Sequence, residues 1–266
     1  MKVSVIVPCY NFEHYIEQCI MSVAAQKTNF EYEILIRDDC STDKSKESID
    51  RVCFCYKDAT EIRNFSRTHE PEKNLGLNGL NNFNFLLSQA RGEYIAYLDG
   101  DDYWIDPYKL QKQVDYMEKN KDCVMTFTGY WQKNSDGTYD PPDPGSWLGL
   151  PESFVPQNDI ITTENFLSYN WAVFGRVFKN VDKIIKDWMH GLPILDWPIN
   201  YEFSKMGKVR YIDFPGGVYR VHNSSTFANL KMEKQMEHVN NVRKIIRKNY
   251  KQSNPDYDLN NPVIKM

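Results

Sequence analysis

The chain has 266 residues, 41% of them hydrophobic and 26% charged, with 32 basic against 36 acidic side chains and a formal net charge of −4. That supports one sizeable core, as one large domain or one domain with a subdomain, and the lack of a net basic field argues against nucleic acid as a partner. Cys9, Cys19, Cys40, Cys53, Cys55 and Cys123 have no zinc-ligand spacing and read as reduced cytoplasmic thiols, while no apolar run reaches membrane-span length and the amino terminus turns polar too soon for a signal peptide.

Residues 3–7 (VSVIV) are a mostly β-branched run closed by Pro8 and predict the first strand. Asn11 is placed to cap a helix carrying Phe12, Ile16, Cys19, Ile20 and Val23 at helical spacing. Residues 33–37 predict a second strand that ends at Asp38-Asp39. A helix from about 43 to 56 follows, with Ile49 and Val52 inward. A weaker third strand is expected over 64–68, a loop over 74–79 from its Asn and Gly content, and a helix over 80–90. Residues 94–98 (YIAYL) predict a buried strand that runs into Asp99, Asp101 and Asp102. Asp106-Pro107 marks the next helix start.

This β-α-β-α alternation implies a mostly parallel sheet with right-handed crossovers. Open α/β sheets bind ligands at the carboxyl ends of their strands. Three such ends converge here: Pro8-Cys9-Tyr10-Asn11, Asp38-Asp39, and the Asp99 to Asp102 cluster. Carboxylates this close repel unless something positive neutralises them. A divalent cation carrying phosphate oxygens would do so. An acidic turn facing water is the plainer alternative. No GxGxxG follows the first strand and no Walker loop is present, which speaks against a dinucleotide or P-loop site.

A helix over 107–120 and a strand over 123–127 come next. Residues 131–159, rich in Pro, Gly and Asp, read as a functional or mobile loop. Helical segments are expected after Thr162 or Thr163, over 181–188, and from 195 to about 205. Strands are expected over 208–213 and 217–221. Met232, Met236, Val239, Ile246 and Tyr250 mark a C-terminal amphipathic helix. Its Arg243, Lys244, Arg247, Lys248 and Lys251 form a solvated face or could touch an anionic membrane surface. The tail from Ser253 is expected to be poorly ordered.

The stretches VSVIVPCYNFEHYIEQCI, DDCSTD, NLGLNGLNNFNFLLSQARGEYIAYLDGDDYW, LDWP and YRVHNSST together resemble the family 2 inverting glycosyltransferases of the GT-A fold. The resemblance covers most of the chain and is most specific in the first half. The DGDDYW form with a later Asp-Trp-Pro looks like the bacterial branch that builds surface polysaccharides. The resemblance implies an α/β, Rossmann-like, mostly parallel central sheet flanked by helices, with a smaller acceptor-binding C-terminal part. One continuous domain would comprise a nucleotide-sugar-binding half (1–122), an acceptor-binding and catalytic half (123–228), and a C-terminal helix and tail (229–266).

It also implies an activity: transfer of a hexose-type sugar from a nucleoside diphosphate, UDP foremost, to a carbohydrate or lipid-linked acceptor. This would happen in the cytoplasm or at the inner face of the membrane. By position, Pro8, Tyr10, Asn11 and Asp39 would hold the nucleotide base, with Asn84 adding to that site. Asp99 would meet the ribose. Asp101 would bind Mn2+ or Mg2+, with Asp102 in support, and Arg220 and His222 would contact phosphate and metal. The general base falls at Asp196, where the family's frequent Glu-Asp pair reads Leu195-Asp196. Trp171 is the aromatic expected to meet the acceptor.

The chemistry is consistent with those roles. Negative charge grows on the diphosphate as the C1–O bond breaks, and a divalent ion with a cationic side chain stabilises it. Inversion needs one base opposite the leaving group. Plainer readings stand beside each role. Asp39 could only cap the helix near Asp43, Asp196 could only be the N-cap of its own helix, and His222 could be an ordinary half-buried histidine. Trp104, Trp171 and Trp197 could be core. A sugar-nucleotide pyrophosphorylase would need a glycine-rich, Arg-containing loop after the first strand, which is missing. A non-catalytic nucleotide- or carbohydrate-binding protein is the alternative from another class.

Overall fold

Strand β1 (Val3–Cys9) is buried along nearly its whole length, as expected of a central parallel strand covered on both faces. It pairs in parallel with β2 (Tyr32–Asp38) on one side and β4 (Tyr94–Tyr97) on the other, and β3 (Glu61–Asn64) adds in parallel beyond β2. The structure, a computed structural model, describes residues 1–56, 60–66, 79–141, 160–223, 225 and 227–259.

The sheet continues through the second half of the chain. Strand β9 (Val177–Lys179) lies antiparallel between β4 and β6 (Cys123–Lys133). Strand β6 pairs in parallel with β10 (Lys208–Arg220), and β5 (Tyr103–Trp104) closes that edge antiparallel to β10. The order is β3-β2-β1-β4-β9-β6-β10-β5, with β7 (Tyr139–Asp140) on β6 and β8 (Ile160–Ile161) on β10.

Alternate residues of β1 feed two cores, because successive strand side chains point to opposite faces. Val3, Val5 and Val7 pack with residues of α1 (Ile16–Ala24), α2 (Ser45–Tyr56) and α4 (Lys109–Lys119). Ile6 packs on the other face with residues of α3 (Leu80–Gln89), α5 (Thr163–Phe166), α6 (Asp196–Ser204) and α7 (Met232–Ser253).

Several expectations need correcting. Asn11 does not cap α1, which begins at Ile16; Asn11 sits instead in the left-handed region at φ 58°, which its short polar side chain tolerates. The third strand covers 61–64 rather than 64–68. Residues 181–188 are not a helix: Lys183 has φ 55°, which breaks helical geometry, and only a 3₁₀ turn at Asp187–Met189 forms. The two strands expected over 208–221 are one, β10, with register shifts around Pro215 and Gly217. Strand β6 runs on to Lys133 because its far end pairs with β10 and β7.

Helix α7 uses part of its basic face internally. Arg243 Nε donates to Ser168 O at 3.0 Å and Arg247 Nε to Leu167 O at 2.9 Å, covering carbonyls that α5 leaves open. Lys244 and Lys248 stay exposed. Beyond Ser253, Tyr257 packs edge-on against Tyr250 at 5.1 Å. Residues 74–78 of the expected loop, 142–159 of the irregular segment and 260–266 of the tail lie outside the described residues. Among the described residues no helix is long and apolar enough to cross a membrane.

Candidate active site

The loops after β1 and β2 are laced together. Asn11 N donates to Ser41 Oγ at 2.7 Å and Thr42 N to Asn11 Oδ1 at 2.8 Å. Phe12 N donates to Ser45 Oγ at 2.7 Å and Glu13 N to Asp43 Oδ2 at 3.0 Å. The result is a shelf at the carboxyl end of the sheet, with Tyr10 exposed at 47%. Asp39 is buried on this shelf, 3.9 Å from Arg37, and its N–H donates to Cys9 O. At the start of α2 it is Asp43 Oδ1 that accepts from Ser45 N and Oγ.

The Asp99–Asp102 turn closes against this shelf. Gly100 N donates to Pro8 O at 3.1 Å, and a Cβ at Gly100 would come 2.7 Å from that same oxygen. Only glycine lets the turn lie this close to β1. The three carboxylates then face different partners. Asp99 Oδ1 accepts from Tyr97 OH at 2.6 Å, Asp101 Oδ2 lies 3.1 Å from His222 Nε2, and Asp102 Oδ1 accepts from Arg220 N at 2.8 Å. Burial, and then the charge of Asp101, push the Asp99 carboxyl up to about 6, against the Tyr97 hydroxyl and Arg176. Burial, with the charges of Asp101 and Asp99, raises Asp102 well above the usual carboxylate range.

The opposite end of the sheet shows what a purely structural buried acid looks like. Glu33 is fully buried, yet Arg63 and Arg91 both pair with it and Ser4 donates to it, so its carboxyl is held below its ordinary value. Burial is compensated there, as a buried charge requires. The carboxyl end of β4 instead gathers carboxylates whose described partners are mostly hydroxyl, backbone N–H and imidazole. Arg176 and Arg220 offset only part of the burial and crowding there, so the Asp99 and Asp102 carboxyls stay raised.

From the second half comes Asp196, the first residue of α6. The N-cap is Leu195, and Asp196 makes no capping bond. Asn170 Nδ2 donates to Asp196 Oδ2 at 2.6 Å. Asp196 is near enough to the Asp99 turn for its charge to help raise Asp99. Two acidic centres, one from each half of the chain, therefore lie near each other.

The sequence profile of glycosyl transferase family 2 matches residues 4–181, well over half of the chain. This chain belongs to glycosyl transferase family 2. Among its curated relatives is the putative teichuronic acid biosynthesis glycosyltransferase TuaG of Bacillus subtilis, 38% identical over 155 residues, covering 58% of this chain and 54% of TuaG. The chain spans a little over half the length of these curated relatives. Among solved structures, Staphylococcus aureus TarS 1–349 in complex with UDP-GlcNAc superposes with TM-score 0.65 at 19% identity, covering 94% of this chain and 67% of that one. The Pyrobaculum calidifontis mannosyltransferase PcManGT, with GDP-Man and Mn2+, gives TM-score 0.60 at 16% identity over 97% and 65%. These likenesses show the GT-A fold for this chain.

Most of the expected site residues gather at this end of the sheet. Pro8, Tyr10, Asn11 and Asp39 lie on the shelf, and Asp99, Asp101, Asp102, Arg220 and His222 meet at the turn. The Asn11 side chain is engaged with Thr42. Arg220 is 7% exposed; it donates to Asp101 O and Gln18 Oε1, and stacks 4.3 Å over Tyr103, so it braces the turn. Asn84 is exposed on α3, whereas Asn82 is buried and donates to Arg37 O at 3.2 Å. Trp104 and Trp197 are core, at 4% and 2% exposed, and Trp171 is half-buried with its Nε1 on Asn165 O.

As for a metal, no three His, Cys, Asp or Glu side chains converge among the described residues into a full cation cage. Asp101 Oδ2 and His222 Nε2 are a two-atom O/N donor set. That suits an ion completed by phosphate oxygens and water better than an all-protein cage.

Proposed function

We propose that this glycosyltransferase is an inverting, metal-dependent enzyme. It moves a sugar from a nucleoside diphosphate, UDP foremost, to a hydroxyl of a carbohydrate or lipid-linked acceptor in bacterial surface-polysaccharide synthesis. The observation that carries this reading is the Asp101–His222 pair in a carboxylate turn close enough to Asp196 for the Asp196 charge to act on Asp99. The likeness to TuaG and to TarS holding UDP-GlcNAc supports the acceptor class and a UDP-sugar donor. PcManGT holding Mn2+ supports a divalent ion.

In this reading Tyr10, Asp39 and the surrounding shelf hold the nucleotide base, and Asp99 meets the ribose. Asp101 and His222 hold Mn2+ or Mg2+, which when bound stabilises negative charge on the diphosphate. Arg220 and Asp102 keep the turn in place. Asp196 takes the proton of the acceptor hydroxyl as its oxygen bonds to C1. The electron pair of the breaking C1–O bond leaves with the β-phosphate oxygen. Trp171 offers a half-buried face to the acceptor sugar. A cytoplasmic setting is supported by the six cysteines, all free thiols. Exposed Lys244 and Lys248 would allow contact with an anionic membrane surface.

A thermal-shift screen of UDP, GDP, CDP and dTDP, each with and without Mn2+, tests the donor site. A ligand that binds only the native state raises its stability by mass action. Metal-dependent stabilisation by one diphosphate, lost in Asp101→Ala, is the expected result. No response to any of them would overturn the donor site. Stabilisation without diphosphate release from any nucleotide sugar would favour a non-catalytic binding protein.

A further inference from the structure

We propose that Asn170 is a positioning residue that aims the Asp196 carboxylate, and that Asn200 and Arg176 lock it to the donor side of the site. The proposal rests on the reading of Asp196 as the base.

The polarity of the chain of contacts is dictated at both ends. The carbonyl of Ala172 can only accept a hydrogen bond, and the Arg176 guanidinium can only donate. Asn200 sits between them, with Nδ2 2.8 Å from Ala172 O and Oδ1 3.4 Å from Arg176 Nη1. Flipping its amide would set oxygen against oxygen and N–H against N–H. Asn200 Nδ2 therefore also faces Asn170 Oδ1, at 2.9 Å. That leaves Asn170 Nδ2 to face Asp196 Oδ2, at 2.6 Å. Neither amide has an alternative orientation, so the bond to Asp196 is specified by groups remote from it.

Two consequences follow for the reaction. Asp196 Oδ2 is engaged, so Oδ1 is the oxygen that receives the acceptor proton. The base is also tied to the donor carboxylates: Arg176 lies 4.7 Å over the Tyr97 ring, and Tyr97 OH donates to Asp99 Oδ1 at 2.6 Å. Asn200 is 0% exposed, Arg176 6% and Asn170 9%. Buried amides are costly unless satisfied, so the arrangement resists displacement. It holds acceptor-side and donor-side groups at one spacing, and small errors in such spacing cost large factors in rate.

Two readouts on the full chain test this. In a ¹⁵N-labelled sample the Asn170 side-chain amide is identified as the pair missing in Asn170→Ala. It should shift in Asp196→Ala and again in Asn200→Asp, which keeps the shape of the side chain but cannot donate. An unmoved pair in both variants overturns the proposal, whatever the base is. The second readout is UDP release from UDP-N-acetylglucosamine with Mn2+. Asn170→Ala should lower kcat about tenfold or more, while the donor KM and the stabilisation by UDP and Mn2+ stay within about twofold. An unchanged kcat, or a loss confined to KM, overturns it. Should Asn200→Asp fail to fold, Asp196→Ala alone decides the amide readout, and an unmoved Asn170 pair there overturns the proposal. If Asp196→Asn turns over normally, the base reading falls, and the amide shifts still report on the relay separately.

Discussion

His222 Nε2 lies 3.1 Å from Asp101 Oδ2 across 121 residues of chain. The imidazole is held by packing: its ring stands edge-on to Phe12 at 6.1 Å and against Tyr15 at 4.4 Å, both from the segment before α1. Its backbone is held too, with His222 N donating to Ser225 Oγ at 3.0 Å and Asn229 Nδ2 donating to His222 O at 2.9 Å. A histidine placed by so many contacts is suited to share a ligand with Asp101. His222→Ala should weaken Mn2+-dependent UDP binding by roughly 10- to 100-fold. UDP binding without metal should change little. Calorimetric titration of UDP with and without Mn2+ reads both, and equal loss in the two arms would count against a metal role.

Asp196→Asn keeps the shape of the side chain and removes its basicity. Diphosphate release from the accepted donor should fall by roughly 10²- to 10⁴-fold. Thermal stabilisation by UDP and Mn2+ should persist. Retained turnover would move the base to another residue.

Gly100 is a steric prediction. A Cβ there would meet Pro8 O at 2.7 Å, Ile16 Cδ1 at 3.0 Å and Phe12 Cδ2 at 3.1 Å. Gly100→Ala should cost about 1–3 kcal/mol in urea unfolding, as overpacking does, and should weaken donor binding by pushing the Asp101 turn outward. Unchanged stability would mean that the shelf yields.

Lys109 gives a pH dependence. It is fully buried, with Nζ 2.7 Å from Gln113 Oε1 and 4.2 Å from the Trp104 ring centroid. Burial pushes its ammonium down to about 7, against the charge of Asp106. The folded group therefore loses its proton near pH 7, while the unfolded group keeps it up to about 10.4. Between those limits the unfolded state binds more protons, so stability rises with pH by up to about 1.4 kcal/mol per unit. Lys109→Met removes this slope. Its stability relative to the parent should be most favourable near pH 7 and should decline towards pH 10. Urea unfolding at pH 7.5, 8.5 and 9.5 checks this, and a constant difference would show that Lys109 titrates normally.

Much of the donor side could be read along the chain, because it is local. An apolar run ending in Asp99, Asp101 and Asp102 needs only strand alternation to be recognised. Tyr97 was legible by the same rule, since it shares a strand face with Asp99. The extended strand β10 was hidden by Pro215 and Gly216-Gly217, which interrupt the pattern of side chains without ending the pairing.

The acceptor side was different in kind. Asn170, Arg176 and Asn200 come from a connection, the approach to β9 and the middle of α6. An amide side chain carries no periodic signal. Their meeting depends on the three residues of β9 inserting antiparallel between β4 and β6. By itself the sequence determined most strands and helices of the first half and where the acids cluster, because those follow from neighbours a few residues apart. Only the tertiary structure decided which partner each carboxylate faces: a hydroxyl for Asp99, an imidazole for Asp101, a backbone N–H for Asp102 and an amide for Asp196. Directional hydrogen bonds are set by the positions of two elements at once, and no single stretch of chain encodes that.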